Sequence, residues 1–306
     1  MPVSFQKMEC FIYRSCLKSL VEKKERCVKI EYQYYAPFVQ KKSDRQTYNK
    51  KEILPKLSFG NSFGNTKVNQ LGVLQAILYK LKTGCQWREL PMKQFFRKKY
   101  SWQSVYYHFR KWSNDGSIEN LWTMLLKEKK SKLDLSSIQL DGSHTSAKRG
   151  GQSVAYQGRK KSKTTNMMFL TDCRGIPVAC SEAISGNHND AFELEQNVET
   201  MLANLNQSKI ATDYLFLNAD AGFDTADFRK FCFRKNIFAN IAQNKRNGQN
   251  EEYFFDELLY KNRYVIERTN AWLDAFKALL IRFETKQKHW RCLHILAFVV
   301  ILCRQL

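Results

Sequence analysis

Two aspartates stand where apolar runs stop. Asp141 closes SSIQLD and is followed by Gly142; Asp220 closes YLFLNAD, with Gly222 two positions on. A carboxylate at the end of a core strand is costly to desolvate unless it is paired, hydrogen-bonded or bound to a cation. The neighbouring acids have ordinary explanations. Asp224 and Asp227 suit the cap and box of a helix over TADFRKFCFRKN, Asp172 suits a hairpin turn, and Asp115 lies in an Asn-Asp-Gly turn. Hard cations of the Mg²⁺ type take a few carboxylate oxygens and leave positions for phosphate and water. Without a cation, crowded carboxylates repel and one tends to stay protonated. Two such ions can activate an attacking oxygen and stabilise the leaving oxygen of an in-line phosphoryl displacement. The candidate third carboxylate is Glu267, which shares a helical stripe with Arg263, Asn270, Asp274 and Ala278. The same stripe fits a solvated polar face, so spacing alone leaves both readings open.

These acids need strands and helices to position them. VNQLGVLQAILYKLKTG has apolar residues at helical spacing and stops at Gly84. SWQSVYYHFRKWSNDG follows with Ser101 as N-cap, then SIENLWTMLLKEKK with a capping signature of its own. Three short helices in this stretch suit a helix-turn-helix-like module, with the helix carrying His108, Arg110 and Lys111 against DNA. A plain helical bundle fits the same pattern. After Lys132 the texture changes to strands. SSIQLDGSHT, TTNMMFLTD and IPVACSEAI read as three strands, then DAFELEQNVETMLANL as a helix with Asp190 as its cap. YLFLNAD, TADFRKFCFRKN and IFANIAQ read as strand, helix and strand. RYVIERTNAWLDAFKALLIRFE and KHWRCLHILAFVVILC close the chain as two long helices. That order gives an α/β domain around a mixed sheet of five strands. Residues 1–65 are basic and tyrosine-rich, with weak hydrophobic pattern, and read as an extension of uncertain order. The expected division is 1–65, a helical module at 66–131 and an α/β domain at 132–306.

Charge narrows the partner. Lys and Arg number 50 against 29 Asp and Glu, a net charge of +21. Such an excess favours a polyanion through counterion release from phosphates. Six basic residues (Lys148, Arg149, Arg159, Lys160, Lys161, Lys163) fall between the first two strands, in SAKRGGQSVAYQGRKKSKTT. They read as a loop or hairpin extension gripping a phosphate backbone, or as a solvated loop. His188 in GNHND either positions a phosphate or water or belongs to a helix cap region. The nine cysteines are scattered, with no CxxC pair, which suits reduced thiols in a cytoplasmic protein. No signal-peptide pattern opens the chain, and ILAFVVILC is too short to span a bilayer, so no membrane role is expected.

Three motifs then resemble a known family. LDGSHT, NADAGFD and YKNRYVIERTNAWLDAF are similar, in order, to the three acidic motifs of DDE transposases of bacterial insertion sequences, of the insertion-sequence-five and -four kind. The resemblance spans roughly 66 to 303 and includes LYKLKTGCQWRELP…VYYHFRKW as the N-terminal module. It implies a ribonuclease-H-like catalytic domain in which Asp141, Asp220 and Glu267 converge on divalent metal, two ions of Mg²⁺ or Mn²⁺. It implies cleavage at the ends of a mobile element, transfer of the freed 3′-hydroxyl into target double-stranded DNA, and assembly on DNA as at least a homodimer. In the last motif the family pattern Tyr-x2-Arg-x3-Glu-x6-Lys is met at Tyr260, Arg263 and Glu267. Asp274 stands where a lysine is expected, and Lys277 lies one turn further as its substitute. The rival readings are a nuclease that cuts without joining and a DNA-binding copy whose catalytic domain has decayed.

Overall fold

Local chemistry starts each of the first helices. The structure is a computed structural model, and it describes residues 49–58, 69–244 and 253–306. Most of the segment read as an extension, 1–65, therefore lies outside the described residues, all of which belong to one compact unit, Ser43–Leu306. Helix α1 (Gln70–Thr83) begins where the Asn69 side chain accepts from Gly72 N, and it ends at Gly84 with φ +68°, a turn that glycine makes without strain. A short α2 (Met92–Phe95) follows. Helix α3 (Trp102–Asn114) is capped by Ser101, whose side chain accepts from Gln103 N. Helix α4 (Ser117–Lys129) lacks the expected cap from its own first residue. Gly116 takes the cap position with a left-handed backbone, and Asp115 Oδ1 accepts from Ser117 N at 2.9 Å.

The next elements build the sheet. Strands β1 (Ile138–Ala147), β2 (Ala155–Gln157), β3 (Ser162–Thr171), β4 (Pro177–Cys180) and β5 (Ile184–Ser185) precede helix α5 (Leu194–Gln207). Strand β6 (Phe216–Ala219), helix α6 (Ala226–Arg234) and strand β7 (Phe238–Ile241) come next. Helices α7 (Glu257–Lys261), α8 (Val265–Asp274) and α9 (Lys277–Leu280), strand β8 (Ile281–Arg282) and helix α10 (Gln287–Gln305) complete the chain. The strands run β2-β3-β1-β6-β7, with β4 and β5 also paired to β3 and β8 to β1. β1 is antiparallel to β3 and parallel to β6, and β6 is parallel to β7. Read through β4, the order β4-β3-β1-β6-β7 is the ribonuclease-H-like arrangement: three antiparallel strands, then two parallel to the first.

Both faces of this sheet are covered. Every residue of β3 from Thr164 to Thr171 is buried, as are all four of β6. Helix α10 is buried on all sides through most of its length, because α1, α3 and α4 enclose it and the sheet lies beyond. Trp122 of α4 meets Phe298 of α10 with ring centroids 5.9 Å apart. Arg291 of α10 pairs with Glu119 at 3.2 Å and with Glu182 at 3.3 Å, tying α4 to the segment after β4. The apolar run ILAFVVILC is thus core, and no helix among the described residues is long and apolar enough to cross a membrane.

Four expectations from the sequence are corrected. The stretch 263–283 is not one long helix: it breaks at Phe276, a buried side chain with extended backbone (φ −100°, ψ 92°). Lys82 Nζ donates to the Ala275 carbonyl at 2.8 Å there, so packing against α1 outweighs helical periodicity. Asp224 is not the cap of α6. Thr225 is, while Asp224 is buried against Arg229 Nε at 2.7 Å and also accepts from Asn244 N at 2.7 Å. Asp190 does not cap α5, which starts four residues later behind Glu193, whose φ is +48°. His108 also turns inward, 6% exposed beside Trp112, instead of facing out with Arg110.

Candidate active site

Sheet register sets the acidic pair. Gln139 on β1 lies opposite Asn218 on β6, and Asp141 and Asp220 each follow two residues later, on the same face as those partners. Beneath them runs a buried polar ladder. Gln139 Nε2 donates to Ser137 Oγ at 2.9 Å, Asn218 Nδ2 to Gln139 Oε1 at 2.8 Å, and Asn240 Nδ2 to Asn218 Oδ1 at 2.8 Å. The ladder continues into the last third of the chain. Asn218 Nδ2 also donates to the Leu259 carbonyl at 3.0 Å, and Asp256 N donates to Asn240 Oδ1 at 2.8 Å. Buried amides that satisfy one another in this way fix register and position. Here they fasten α7 to the parallel strands, and with it the 3₁₀ turn Asn262–Tyr264.

That turn carries Arg263, whose guanidinium reaches both acids. Its Nη2 lies 3.3 Å from Asp220 Oδ2 and 3.6 Å from Asp141 Oδ1. Asp220 Oδ1 accepts from Gly222 N at 2.8 Å. Burial pushes the Asp141 carboxyl up to about 6. Arg263 and the Gly142 N–H oppose the rise, and the negative charges of Asp220 and Asp190 add to it. Asp141 therefore sits where its ionised form lacks sufficient positive charge.

Asp190 is the neighbour that sequence reading missed. A Cβ on Gly142 would stand 2.8 Å from Asp190 Oδ1, and one on Gly222 would stand 3.8 Å from Asp190 Oδ2. The Asp190 carboxylate thus lies against the glycines that follow the two aspartates, and a side chain at position 142 would collide with it. Asn166 Nδ2 donates to Asp190 Oδ1 at 3.0 Å, and His144 Nε2 lies 4.0 Å from the same oxygen. The His144 imidazole is held below its ordinary value, first by burial and then by Lys160 and Arg159, against the pull of Asp190. The available signals were His144, three residues after Asp141, and the aspartate of GNHND, which the sequence offered as a helix cap.

The other expected residues are placed as follows. Glu267 is exposed in the first turn of α8, four residues after Arg263 on the same stripe. Among the described residues its carboxylate contacts neither aspartate. Tyr260 packs on Phe255 with centroids 5.0 Å apart, and His188 stacks on Phe192 at 3.5 Å. Asp274 and Lys277 are both exposed, and Asp274 lines a cleft of about 250 Å³ with Ser143, His144, Asn270 and His294. Lys148, Arg149, Arg159, Lys160, Lys161 and Lys163 are exposed, and none pairs with an acid among the described residues. The last four lie on the β2–β3 hairpin, and Lys160 Nζ donates to the His144 carbonyl at 3.0 Å, so the hairpin leans on the site's own strand. Arg110 is exposed over the Tyr106 ring, and Lys111 is half-buried.

A ribonuclease-H-like sheet with an acidic pair at its centre defines a class of enzymes that cut phosphodiesters. Residues 136–304 match the family described as "DDE superfamily endonuclease", more than half of the chain. The chain belongs to that superfamily. Residues 43–122 match the family described as "Putative transposase of IS4/5 family". Together the matches make the protein a transposase, an enzyme of DNA strand cleavage and strand transfer. Among solved structures, a piggyBac transposase synaptic complex with hairpin DNA is 10% identical, covers 85% of this chain and 72% of its own, and has a TM-score of 0.43. The Mos1 transposase paired-end complex with the left transposon end is 12% identical, covers 96% and 95%, and scores 0.27. A Mos1 mariner paired-end complex with Mn is 16% identical and scores 0.28, with the same coverage. No residue role is transferred from such loose superpositions. A comparison with curated protein sequences returns no match.

Proposed function

We propose that Asp141 and Asp220, with Glu267, form the catalytic centre of this transposase and hold divalent cations, two ions of Mg²⁺ or Mn²⁺, at the ends of an insertion element. One observation carries the reading: a single guanidinium, Arg263, is shared by two carboxylates on adjacent parallel strands, Asp141 within β1 and Asp220 just past the end of β6. It supplies positive charge where two acids would otherwise repel. Among the described residues, no three acid, His or Cys side chains are arranged as a ready-made metal site. The donor chemistry nevertheless fits. The set is all oxygen, as Mg²⁺ and Mn²⁺ require, and the buried Asn166 Oδ1 beside it has no hydrogen-bond partner. When bound, such cations polarise the phosphodiester and activate the attacking hydroxyl.

The protein's own groups do the remaining work. The exposed hairpin cations Arg159, Lys160, Lys161 and Lys163 bind the phosphate backbone and bring it to β1, with Lys148, Arg149 and Lys277 as further contacts. Arg263 orients the two acids and offers a donor to a phosphate oxygen. The helical module, expected at 66–131, adds Arg110 and Lys111 to the grip, and Tyr260 and His188 serve as accessory residues. Two element ends brought together call for a homodimer on DNA, acting in the cytoplasm.

The test is cleavage of labelled DNA from the flanks of the gene, with Mg²⁺, scored for 3′-hydroxyl ends and joined products. Paired cuts with joining are expected from the wild type. Asp220→Asn should keep DNA binding and lose cleavage by at least about 10²-fold, beyond the usual effect of a supporting residue. Undiminished cleavage by Asp220→Asn would remove Asp220 from the centre.

A further inference from the structure

We propose that Asp190 is a further acidic ligand of the divalent cation, standing with Asp141 and Asp220 and aimed by Asn166. The inference rests on the reading of the centre given above and adds a residue to it.

Four observations lead there. Asp190 is free of the helical role its sequence position suggested, since α5 begins at Leu194. Its two oxygens face Gly142 and Gly222, the glycines that follow the two central aspartates. Asn166 is fully buried, and its amide nitrogen holds Asp190 Oδ1 at 3.0 Å. Its carbonyl oxygen would lie 3.3 Å from a Cβ on Gly142 and has no hydrogen-bond partner.

A buried amide oxygen left unpaired costs about 1–3 kcal/mol. A hard cation gives that oxygen a partner and leaves the amide nitrogen free to hold the carboxylate. Charge leads to the same place. Asp141 and Asp220 share one guanidinium, and Asp190 brings a third carboxylate to the glycines that follow them. A divalent cation relieves the repulsion of carboxylates crowded in this way. Asp190 is separated from the aspartates by 49 and 30 residues along the chain (190 − 141 and 220 − 190), so local periodicity does not reveal it.

Mn²⁺ binding to the full-length protein, followed by the electron paramagnetic resonance of free Mn²⁺, tests this without relying on activity. Asp190→Asn and Asp141→Asn should each weaken Mn²⁺ binding about tenfold or more. In EDTA, Asp190→Asn should melt at or above the wild-type temperature, because one repelling charge is gone, and Mn²⁺ should raise its melting point less than that of the wild type. If Asp190→Asn binds Mn²⁺ like the wild type while Asp141→Asn does not, Asp190 is not a ligand and the centre stands. If Asp141→Asn also binds like the wild type, the reading of the centre itself falls. Asn166→Ala is the second variant should Asp190→Asn fail to fold. It should weaken Mn²⁺ binding in the same direction, and unchanged binding would overturn the inference.

Discussion

The helical end and the acidic end of this protein are held by opposite means. Around α10, the leucines of α1 and α4 and the aromatics of α3 and α4 form an apolar core, with a few polar groups such as Lys80, His289, Arg291 and His294 buried in it. Within β1 and at the end of β6, buried amides, three carboxylates and an arginine meet; Asn166 Oδ1 and Arg263 Nε lack partners there, as Glu119 Oε2 and His289 Nε2 do at the helical end. Apolar packing there is insensitive to what is bound. The acidic end is poised for a partner, because its charges and orphaned atoms are stabilised only when something completes them. Substitutions should therefore separate the two regions: the first governs stability, the second activity.

The largest separation is expected at Asp220 and Leu121. Asp220→Asn should abolish cleavage with little change in urea unfolding. Leu121→Ala, in the fully buried face of α4, should cost about 2–5 kcal/mol of stability. Cleavage by the molecules still folded should be near normal. A Leu121→Ala protein with full stability would break the comparison.

A buried histidine in the apolar region sharpens it further. His294 on α10 is pushed down to about 4 by burial, and Arg282 adds to the shift against a hydrogen bond with the Trp290 carbonyl. The folded ring stays neutral to about pH 4, whereas the unfolded ring takes a proton near 6.5. Between those values the unfolded chain binds more protons, so this residue's contribution to stability falls as pH drops through the window and levels below it. The loss is at most about 3 kcal/mol, at roughly 1.4 kcal/mol per pH unit. Asp141 and Asp172, both raised to about 6, act with the opposite sign. The measurement is thus the difference in urea midpoint between wild type and His294→Leu at pH 7 and pH 4.5. That difference should shift in favour of the variant on acidification, and a pH-independent difference would contradict the assignment.

Next in size is Arg291→Ala, which leaves Glu119 and Glu182 without their shared partner. Breaking a fully buried pair costs more, but Glu182 is half exposed, so about 2 kcal/mol is expected, read by thermal unfolding. Lys161→Ala on the exposed hairpin should act least on the fold. It should leave stability unchanged and reduce the salt slope of DNA binding by about 1.

How much of this was legible beforehand differs between the same two regions. Ser101 and Gly84 mark helix ends by local chemistry, and the structure uses both of them so. The apolar runs leading into Asp141 and Asp220 were visible as strands, although β1 continues past Asp141 to Ala147. What failed was inference across a tertiary contact: Asp190 and Asp224 look like caps, and 263–283 looks like one helix. Thr225 and Glu193 take the cap positions, and Phe276 breaks the helix where α1 packs against it.

The sequence by itself determined the basic charge, the order of the main strands and helices, and the two aspartates where apolar runs stop. Those depend on composition and on periods of two and 3.6 residues, which are local properties. Only the tertiary structure decided which charged groups meet. Arg263 reaches both aspartates because a buried ladder through Gln139, Asn218 and Asn240 anchors the segment that carries it. Asp190 joins them because two glycines leave room for its carboxylate. Such meetings depend on how distant segments close upon one another, and no local period encodes that.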